Sequence, residues 1–325
     1  MPLAVIHSPH EWDARFGAGQ RSVVSVGTFD GLHLGHQRIL RDVVERARAT
    51  SQHSAVVTFD PHPVRVLRPE QAPRMIETLG QRLQGFERMG LDGALVLRFD
   101  RAFSLLSPRE FLQAILVDGL HAASVSVGEN FCFGHRGAGD VGLLSRFGGE
   151  HGFEVVIAQP VEIGGRIVSS TSVRTAIAEG RVEEGSRLLG RPFALTGEIR
   201  RGEGRGRTIL FPTLNLQPEQ ELLPMNGVYA TESFVAGGSY PSVTNVGTRP
   251  TFDGSGITVE SHLLGGELSI MSGPMGVRFH KRLRDEQKFS RPAELRDQIA
   301  RDIEQARQYF TLRDVPAHSS EIPRA

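Results

Sequence analysis

Along the first half of the chain, short apolar runs alternate with stretches whose apolar residues recur every three or four positions. Val23–Val26 reads as a buried strand, and Ile39, Leu40, Val43, Val44 and Ala47 share one face of a helix over Ile39–Ala49. The same alternation predicts strands at Ser54–Phe59, at Ala94–Leu97, around Val125 and Val127, and at Val155–Ala158. Helices are predicted at Leu79–Met89, at Pro108–Leu116 with Ser107 as N-cap, and at Ser172–Glu179 closed by Gly180. Strands alternating with helices imply an α/β unit with a parallel sheet covered on both faces. In such sheets ligands bind beyond the carboxyl ends of the strands.

The pattern changes across Glu183–Pro192. Short predicted strands follow at Phe193–Ile199, Gly227–Ser233, Ser242–Val246, Thr258–Leu264 and Gly276–Phe279, separated by turn chemistry such as Gly237-Gly238 and Asp253-Gly254. That spacing predicts a small antiparallel β-barrel. Leu295, Ile299, Ile303, Ala306 and Phe310 form an amphipathic stripe, so one α-helix closes the barrel. The expected division is 1–182, 183–313 and a polar tail at 314–325 that is expected to be disordered.

Length fits this picture, since 325 residues suit about two domains of roughly 100–200 residues each. The 37 basic and 37 acidic residues cancel, so no global field steers the chain to nucleic acid or an anionic membrane. Lys281 and Lys288 are the only lysines, and no Gly-x-x-x-x-Gly-Lys-Ser/Thr loop occurs, which excludes P-loop phosphate chemistry. Cys132, the single cysteine, excludes an intrachain disulfide. Met1–Trp12 lacks a signal-peptide pattern, and no apolar run approaches the roughly 18–20 residues of a membrane span. The expectation is a cytoplasmic protein with small-molecule partners, no nucleic acid and no membrane. Weak self-association into a homo-oligomer is left open.

The richest chemistry follows the first predicted strand, where Gly27–Gln37 reads Gly-Thr-Phe-Asp-Gly-Leu-His-Leu-Gly-His-Gln. His33 and His36 sit where a helix begins, and backbone N–H groups and the helix dipole favour negative charge there. Gly35 leaves room for a phosphate to approach the backbone. The two imidazoles, as donors, would stabilise charge growing on the α-phosphate of ATP as pyrophosphate leaves. The bland alternative is two surface histidines at a helix start. Further on, Ser169-Ser170-Thr171-Ser172-Val173-Arg174 gathers hydroxyls at a helix N-terminus with a guanidinium one turn in. Ordinary capping by Ser170 or Thr171 explains the hydroxyls alone, whereas Arg174 suits β- and γ-phosphates. Two loops after strands, Phe59–Pro63 and Val127–Gly134, could border a ring system or be plain loops.

In the second half, the loop Gly202–Arg207 can wrap phosphates with backbone N–H groups or simply be a flexible hairpin. Thr213 and Asn215 project to one side of an extended chain, and their oxygens suit Mg²⁺ carried on a nucleotide. Glu260, alternating with apolar neighbours, is either a satisfied barrel carboxylate or a general base for a hydroxyl.

Segments Gly27–Gln37, Thr58–Pro63, Val127–Asp140 and Ser169–Arg174 resemble the adenylyltransferase module of the bifunctional riboflavin kinase/FMN adenylyltransferase family, the prokaryotic FAD synthetases. Gly204–Asn215, Asn226–Ala230, Asn245–Thr251, Glu260–Leu264 and Lys281–Phe289 resemble its riboflavin kinase module. The resemblance spans roughly Val23 to Phe310 and implies a Rossmann-like nucleotidyltransferase domain followed by a kinase barrel. It implies that Gly27, Phe29, Asp30, His33, His36, Ser170, Thr171 and Arg174 bind ATP in the transferase. His33, His36 and Arg174 are its catalytic members, and Pro61, Pro63 and Asn130 border the flavin. In the kinase it implies Gly204, Gly206, Arg207, Thr213 and Asn215 at Mg-ATP, Glu260 as base toward the ribityl hydroxyl, and Arg284 near the flavin phosphate. Riboflavin, FMN and ATP are the implied substrates, with ATP as co-substrate and Mg²⁺ as cofactor.

The chain departs from the family pattern at Cys132, read as peripheral, and at Leu210, Leu214 and Leu264–Glu267, where bulk beside a nucleotide loop could alter kinase affinity. One rival is another nucleotidyltransferase with the His-x-Gly-His site, acting on pantetheine phosphate or nicotinamide mononucleotide. A second rival makes the barrel a non-catalytic flavin-binding module.

Overall fold

The computed structural model describes residues 2–200, 211–251, 254–265 and 272–312. The chain divides into two compact units. One comprises the chain up to Arg74 together with Leu79–Ser169, and the other Met75–Thr78 with the chain from Ser170 onward.

In the first unit, β1 (Ala4–Ile6), β2 (Ser22–Val26), β3 (His53–Asp60), β4 (Gly93–Arg98), β5 (Ala122–Gly128) and β6 (Glu154–Ala158) form a sheet in the order β1-β4-β3-β2-β5-β6. Every pairing in it is parallel. The expected two-sided burial is visible residue by residue. Val24 and Val57 enter one apolar cluster with Leu95, Val125 and Phe147, while their neighbours Val23 and Val56 enter another with Leu40, Val43 and Phe86. From β2 the chain builds outward through β3 and β4 on one side and through β5 and β6 on the other. The order therefore reverses between β2 and β5, and a ligand is expected where their carboxyl ends part.

Connecting helices are α1 (Glu11–Phe16), α2 (Leu34–Ala49), α3 (Pro63–Leu67), α4 (Leu79–Arg88), α5 (Pro108–Phe111) and α6 (Val141–His151). α2 starts five residues before the predicted Ile39, because its first turn carries glycine and histidine in place of a stripe and is fixed by the His33 cap. Ser107 caps α5 in a reciprocal box with Glu110, and the helix runs on as a π-helical turn over Leu112–Val117. The sequence reading missed β1, α1, α3 and α6. The last had its own signals, since Asp140 accepts the Leu143 N–H at 2.7 Å and Gly152 ends the helix at φ 75°. A two-strand hairpin, β7 (Glu162–Ile163) and β8 (Arg166–Ile167), ends the unit.

The second unit opens with α7 (Ser170–Ala178) and α8 (Val182–Leu189). α8 fills the stretch read only as a change of pattern, and buries Val182, Leu188 and Leu189. A Cβ on Gly185 would lie 2.4 Å from Ile177 Cδ1, so the glycine lets the two helices meet. The strands β9 (Phe193–Arg200), β10 (Leu214–Pro218), β11 (Gly227–Val235), β12 (Gly238–Thr251), β13 (Gly254–Leu263) and β14 (Pro274–Arg284) close into a barrel in the order β10-β13-β12-β11-β14-β9. Its pairings are all antiparallel.

β10 matches no predicted strand, and the other five outrun the predicted short segments, because tight turns let the ladders continue. β11 and β12 join through Ala236-Gly237 at φ 50° and 79°, the pattern of a two-residue hairpin turn, one residue earlier than predicted. Between these strands and β13 the interior is polar. Ser233, Ser242, Thr231, Thr244 and Ser261 are fully buried and form one chain of hydroxyl hydrogen bonds, 2.6–2.8 Å long. The outer face of β11 and β12 is apolar instead. Val228, Ala230 and Val243 pack there against Ile303, Ala306 and Phe310 of α9 (Pro292–Thr311), the predicted closing helix. The tail and Gly202–Leu210 lie outside the described residues.

Candidate functional site

The β2–β3 ladder ends where the Gly27 N–H donates to the Val57 carbonyl at 3.0 Å. Beyond it the backbone turns sharply, with Phe29 at φ 51°, Gly31 at 83° and Leu32 at 39°. Phe29 and Leu32 are not glycines, so the left-handed region costs them energy that surrounding contacts must offset. Phe29 is buried, its ring edge-on to Phe86 at 5.8 Å and to His36 at 5.2 Å. Asp30 is fully buried.

His33 is the N-cap of α2. Its Nδ1 accepts the His36 N–H at 3.3 Å, which places the proton of the neutral ring on Nε2. The His33 and His36 rings stack with centroids 3.6 Å apart and planes 22° from parallel. The two imidazoles are thus brought together at a helix N-terminus, at the sheet's reversal point. A Cβ on Gly35 would sit 3.1 Å from the His33 ring and 3.6 Å from the Val168 carbonyl, so glycine here serves the stacked histidine.

Neighbouring strand ends carry the expected flavin-side residues. Pro61 and Pro63 follow β3, half-buried, with His62 capping α3 by accepting the Val64 N–H at 3.2 Å. Asn130 follows β5 and is exposed. Behind these loops Phe59, Phe99, Phe103, Phe111, Phe133 and Phe131 form a continuous run of ring contacts at 5.3–6.1 Å. His135 binds the Ser104 carbonyl through Nδ1 at 2.9 Å and holds the β5 loop against that run. Cys132 is exposed, in keeping with a peripheral position.

In the second unit, α7 starts at Ser170, two residues before the prediction. Half-buried Ser170 and exposed Thr171 therefore occupy its first turn, and Arg174 follows one turn later. First-turn N–H groups lack intrahelical acceptors, the usual condition for holding phosphate.

On the barrel, strand register assembles the candidate residues. Asn215 of β10 pairs with Glu260 of β13, Glu260 pairs with Asn245 of β12, and the row continues through Val228 to Arg284. Neighbouring strands lie about 4.8 Å apart, so Asn215, Glu260 and Asn245 are lateral neighbours. Leu214 and Ser261, on the alternate positions, face the interior, so the row faces outward. Leu214 thus puts its bulk in the barrel core. Just before β10, the Pro212 carbonyl meets His262 Nδ1 at 2.9 Å and Phe211 meets the His262 ring edge-on at 5.5 Å, which fixes the approach to Thr213.

Arg284 is committed elsewhere. Its Nε and Nη2 donate to Asp302 of α9 at 2.8–3.1 Å, and Nη1 donates to the Asp285 carbonyl at 2.8 Å. Asp302 is 2% exposed, so the pair fastens α9 to the barrel. Beside the row, burial pushes the Tyr229 phenol up to about 12, and its hydroxyl donates to the Met225 carbonyl. Gly204, Gly206 and Arg207 lie outside the described residues. Sequence reasoning missed Asn245 and His262 as members of this face. Their signal was positional, since His262 is two residues from Glu260 on one strand and Asn245 is its cross-strand partner.

Comparison with known proteins extends this picture over the whole chain. A family model described as FAD synthetase matches residues 17–172, and one described as riboflavin kinase matches residues 189–310. The bifunctional riboflavin kinase/FMN adenylyltransferase of Escherichia coli (strain K12) is 37% identical over 89% of this chain and 93% of its own. The protein of the same description from Pseudomonas fluorescens is 39% identical over 88% of this chain and 92% of its own. A crystal structure described as a macrolide-efflux protein from Streptococcus pneumoniae superimposes with a TM-score of 0.84 at 29% identity, covering 94% of this chain and 99% of that one. Among the described residues no helix is long and apolar enough to cross a membrane.

Proposed function

The chain belongs to the bifunctional riboflavin kinase/FMN adenylyltransferase family, and on that premise we propose how its residues divide the two reactions. One half adenylylates FMN to FAD with loss of pyrophosphate, and the other phosphorylates riboflavin to FMN at the expense of ATP. The assignment gives residues 1–182 to the first, 183–313 to the second, and leaves 314–325 as a tail.

In adenylyl transfer the FMN phosphate is the nucleophile and is already anionic. No strong base is needed, so the enzyme has to align the attack in line and absorb charge. His33 and His36 donate to the α-phosphate, with Gly27, Phe29 and Asp30 shaping the nucleotide pocket. Ser170, Thr171 and Arg174 take the β- and γ-phosphates. Pro61, Pro63 and Asn130 border the flavin. The observation that carries this reading is the stacked histidine pair at the start of α2, at the carboxyl end of β2.

In the kinase, Glu260 removes the proton of the ribityl hydroxyl while Asn215 and Thr213 hold Mg-ATP. The fit is chemical. Two neutral oxygen donors suit an ion that takes its remaining ligands from water and phosphate, and Asn215 is the registered neighbour of Glu260. Mg²⁺ supplies charge neutralisation at the transferring phosphoryl group. Gly204, Gly206 and Arg207 cradle the phosphates. For Arg284, the Asp302 pair favours an anchoring task over the direct flavin-phosphate contact implied by resemblance. The protein is read as cytoplasmic, acting on small molecules without nucleic acid or membrane, and self-association stays open.

Pure protein incubated with riboflavin, ATP and Mg²⁺, with flavins separated over time, tests the reading. FMN should rise first and FAD follow. Conversion of supplied FMN without any riboflavin phosphorylation would remove the kinase half.

A further inference from the structure

We infer that Arg82 is a positioning residue for adenylyl transfer, holding the Gly27–His33 loop in the shape that presents His33, His36 and the α2 N-terminus to the nucleotide. The inference rests on the reading that this loop receives ATP. Arg82 lies on α4 and is 2% exposed, an unusual burial for a guanidinium. Its Nη1 donates to the Thr28 carbonyl at 2.8 Å and to Thr58 Oγ1 at 3.1 Å. Thr58 Oγ1 in turn donates to the same Thr28 carbonyl at 3.2 Å. Thr28 is the first residue past the last β2–β3 ladder bond, so its carbonyl has left the sheet and is held by a side-chain triangle.

The rest of the same helix face supports the loop just after this point. Leu32 lies so close to Gly85 that a Cβ there would be 2.1 Å from Leu32 Cδ1, and Phe29 rests edge-on against Phe86. Residues 82, 85 and 86 are spaced i, i+3, i+4 and form one face. They meet the loop at Thr28, Phe29 and Leu32, just before and within the run of positive φ. Apolar contacts alone would tolerate sliding of the loop. The guanidinium adds direction, because its Nη1 holds one carbonyl and one hydroxyl at the same point. An apolar residue at 82 would fill the space but leave the part-buried Thr28 carbonyl with Thr58 Oγ1 as its one remaining partner of the triangle. Displacement of the loop would carry the paired imidazoles out of line with the α-phosphate.

Three variants of the full-length chain test this, Arg82→Met, Arg82→Lys and Thr58→Val, each assayed for FMN adenylylation and riboflavin phosphorylation in the same sample, with His33→Ala alongside. Arg82→Met should lower kcat/KM for ATP in FAD formation by at least about tenfold, with kcat falling and KM rising together. Riboflavin phosphorylation should stay within about twofold, reporting that the barrel unit is intact, and circular dichroism should match wild type for the parallel-sheet unit. Arg82→Lys should recover part of the loss, and Thr58→Val should show a smaller loss of the same kind. Unchanged FAD formation in Arg82→Met overturns the inference. So does a fall in Vmax with KM for ATP unmoved, which would mean only fewer folded molecules. FAD formation that survives His33→Ala overturns the site reading and the inference with it. Loss in His33→Ala without loss in Arg82→Met overturns the positioning role alone.

Discussion

In the parallel-sheet unit the candidate ATP contacts hang on a loop whose residues Phe29, Gly31 and Leu32 have positive φ and which the α4 face Arg82, Gly85 and Phe86 props from behind. In the barrel Asn215 and Glu260 sit on strands, and hydrogen-bond register brings them with Asn245 into one row. The first arrangement is strained and depends on what lies behind it. The second is unstrained and depends on the ladder staying closed. The chemistry matches the difference. Adenylyl transfer needs fixed donors aimed at a phosphate, which a helix N-terminus and stacked imidazoles provide. Phosphorylating a hydroxyl needs a carboxylate beside metal-binding oxygens, which neighbouring strands bring side by side.

If the two sites are separate, single substitutions should split the reactions. The largest effect is expected from His33→Ala, which should cut FAD formation by about 10²–10³-fold while FMN formation continues. Equal loss of both products in a protein with normal circular dichroism would contradict the separation. Asp302→Ala probes the barrel's closure. It leaves the Arg284 guanidinium without its buried partner and should cost about 3 kcal/mol in denaturant unfolding of the barrel, with adenylylation of supplied FMN retained. An unfolding midpoint equal to wild type would deny the pair its anchoring task. Glu260→Gln keeps size and should slow riboflavin phosphorylation by at least about tenfold, with supplied FMN still converted to FAD. Unchanged turnover would take Glu260 out of the base role.

The smallest effect concerns pH. Burial raises the Tyr229 phenol from its ordinary value of 10.0 to about 12, so the folded barrel keeps the proton over a range where the unfolded chain releases it. Its stabilising share is complete below about pH 10 and is lost as pH rises toward 12, a decline of about 1 kcal/mol by pH 11. Tyr229→Phe should flatten that alkaline decline in chemical unfolding. A wild-type slope in the variant would assign the decline to other groups.

The two regions also differ in how legible they were from sequence. The parallel sheet read well, because strands buried on both faces leave continuous apolar runs such as Val23–Val26. The start of α2 did not, because Leu34–Arg38 is ordered by the His33 cap and not by a stripe. The barrel was recognisable from its turns, but its strands were underestimated. On β11 and β12 the interior positions include Thr231, Ser233, Ser242 and Thr244, while Val228, Ala230 and Val243 face α9, so these strands carry no simple apolar alternation. His33 and His36 were visible as a motif. Arg82 was not, since a lone arginine in an amphipathic helix reads as solvated until its partners Thr28 and Thr58 are known. Gly35 was expected to make room for phosphate, and its nearest neighbour is the His33 ring.

The most direct measurement of two separate sites on one chain is a mixing assay with riboflavin, ATP and Mg²⁺ as the only inputs. His33→Ala alone should stop at FMN, Glu260→Gln alone should give little of either product, and an equal mixture should make FAD, because FMN released by the first protein feeds the second. FAD from the His33→Ala protein by itself, or none from the mixture when Glu260→Gln still converts added FMN, would contradict the account.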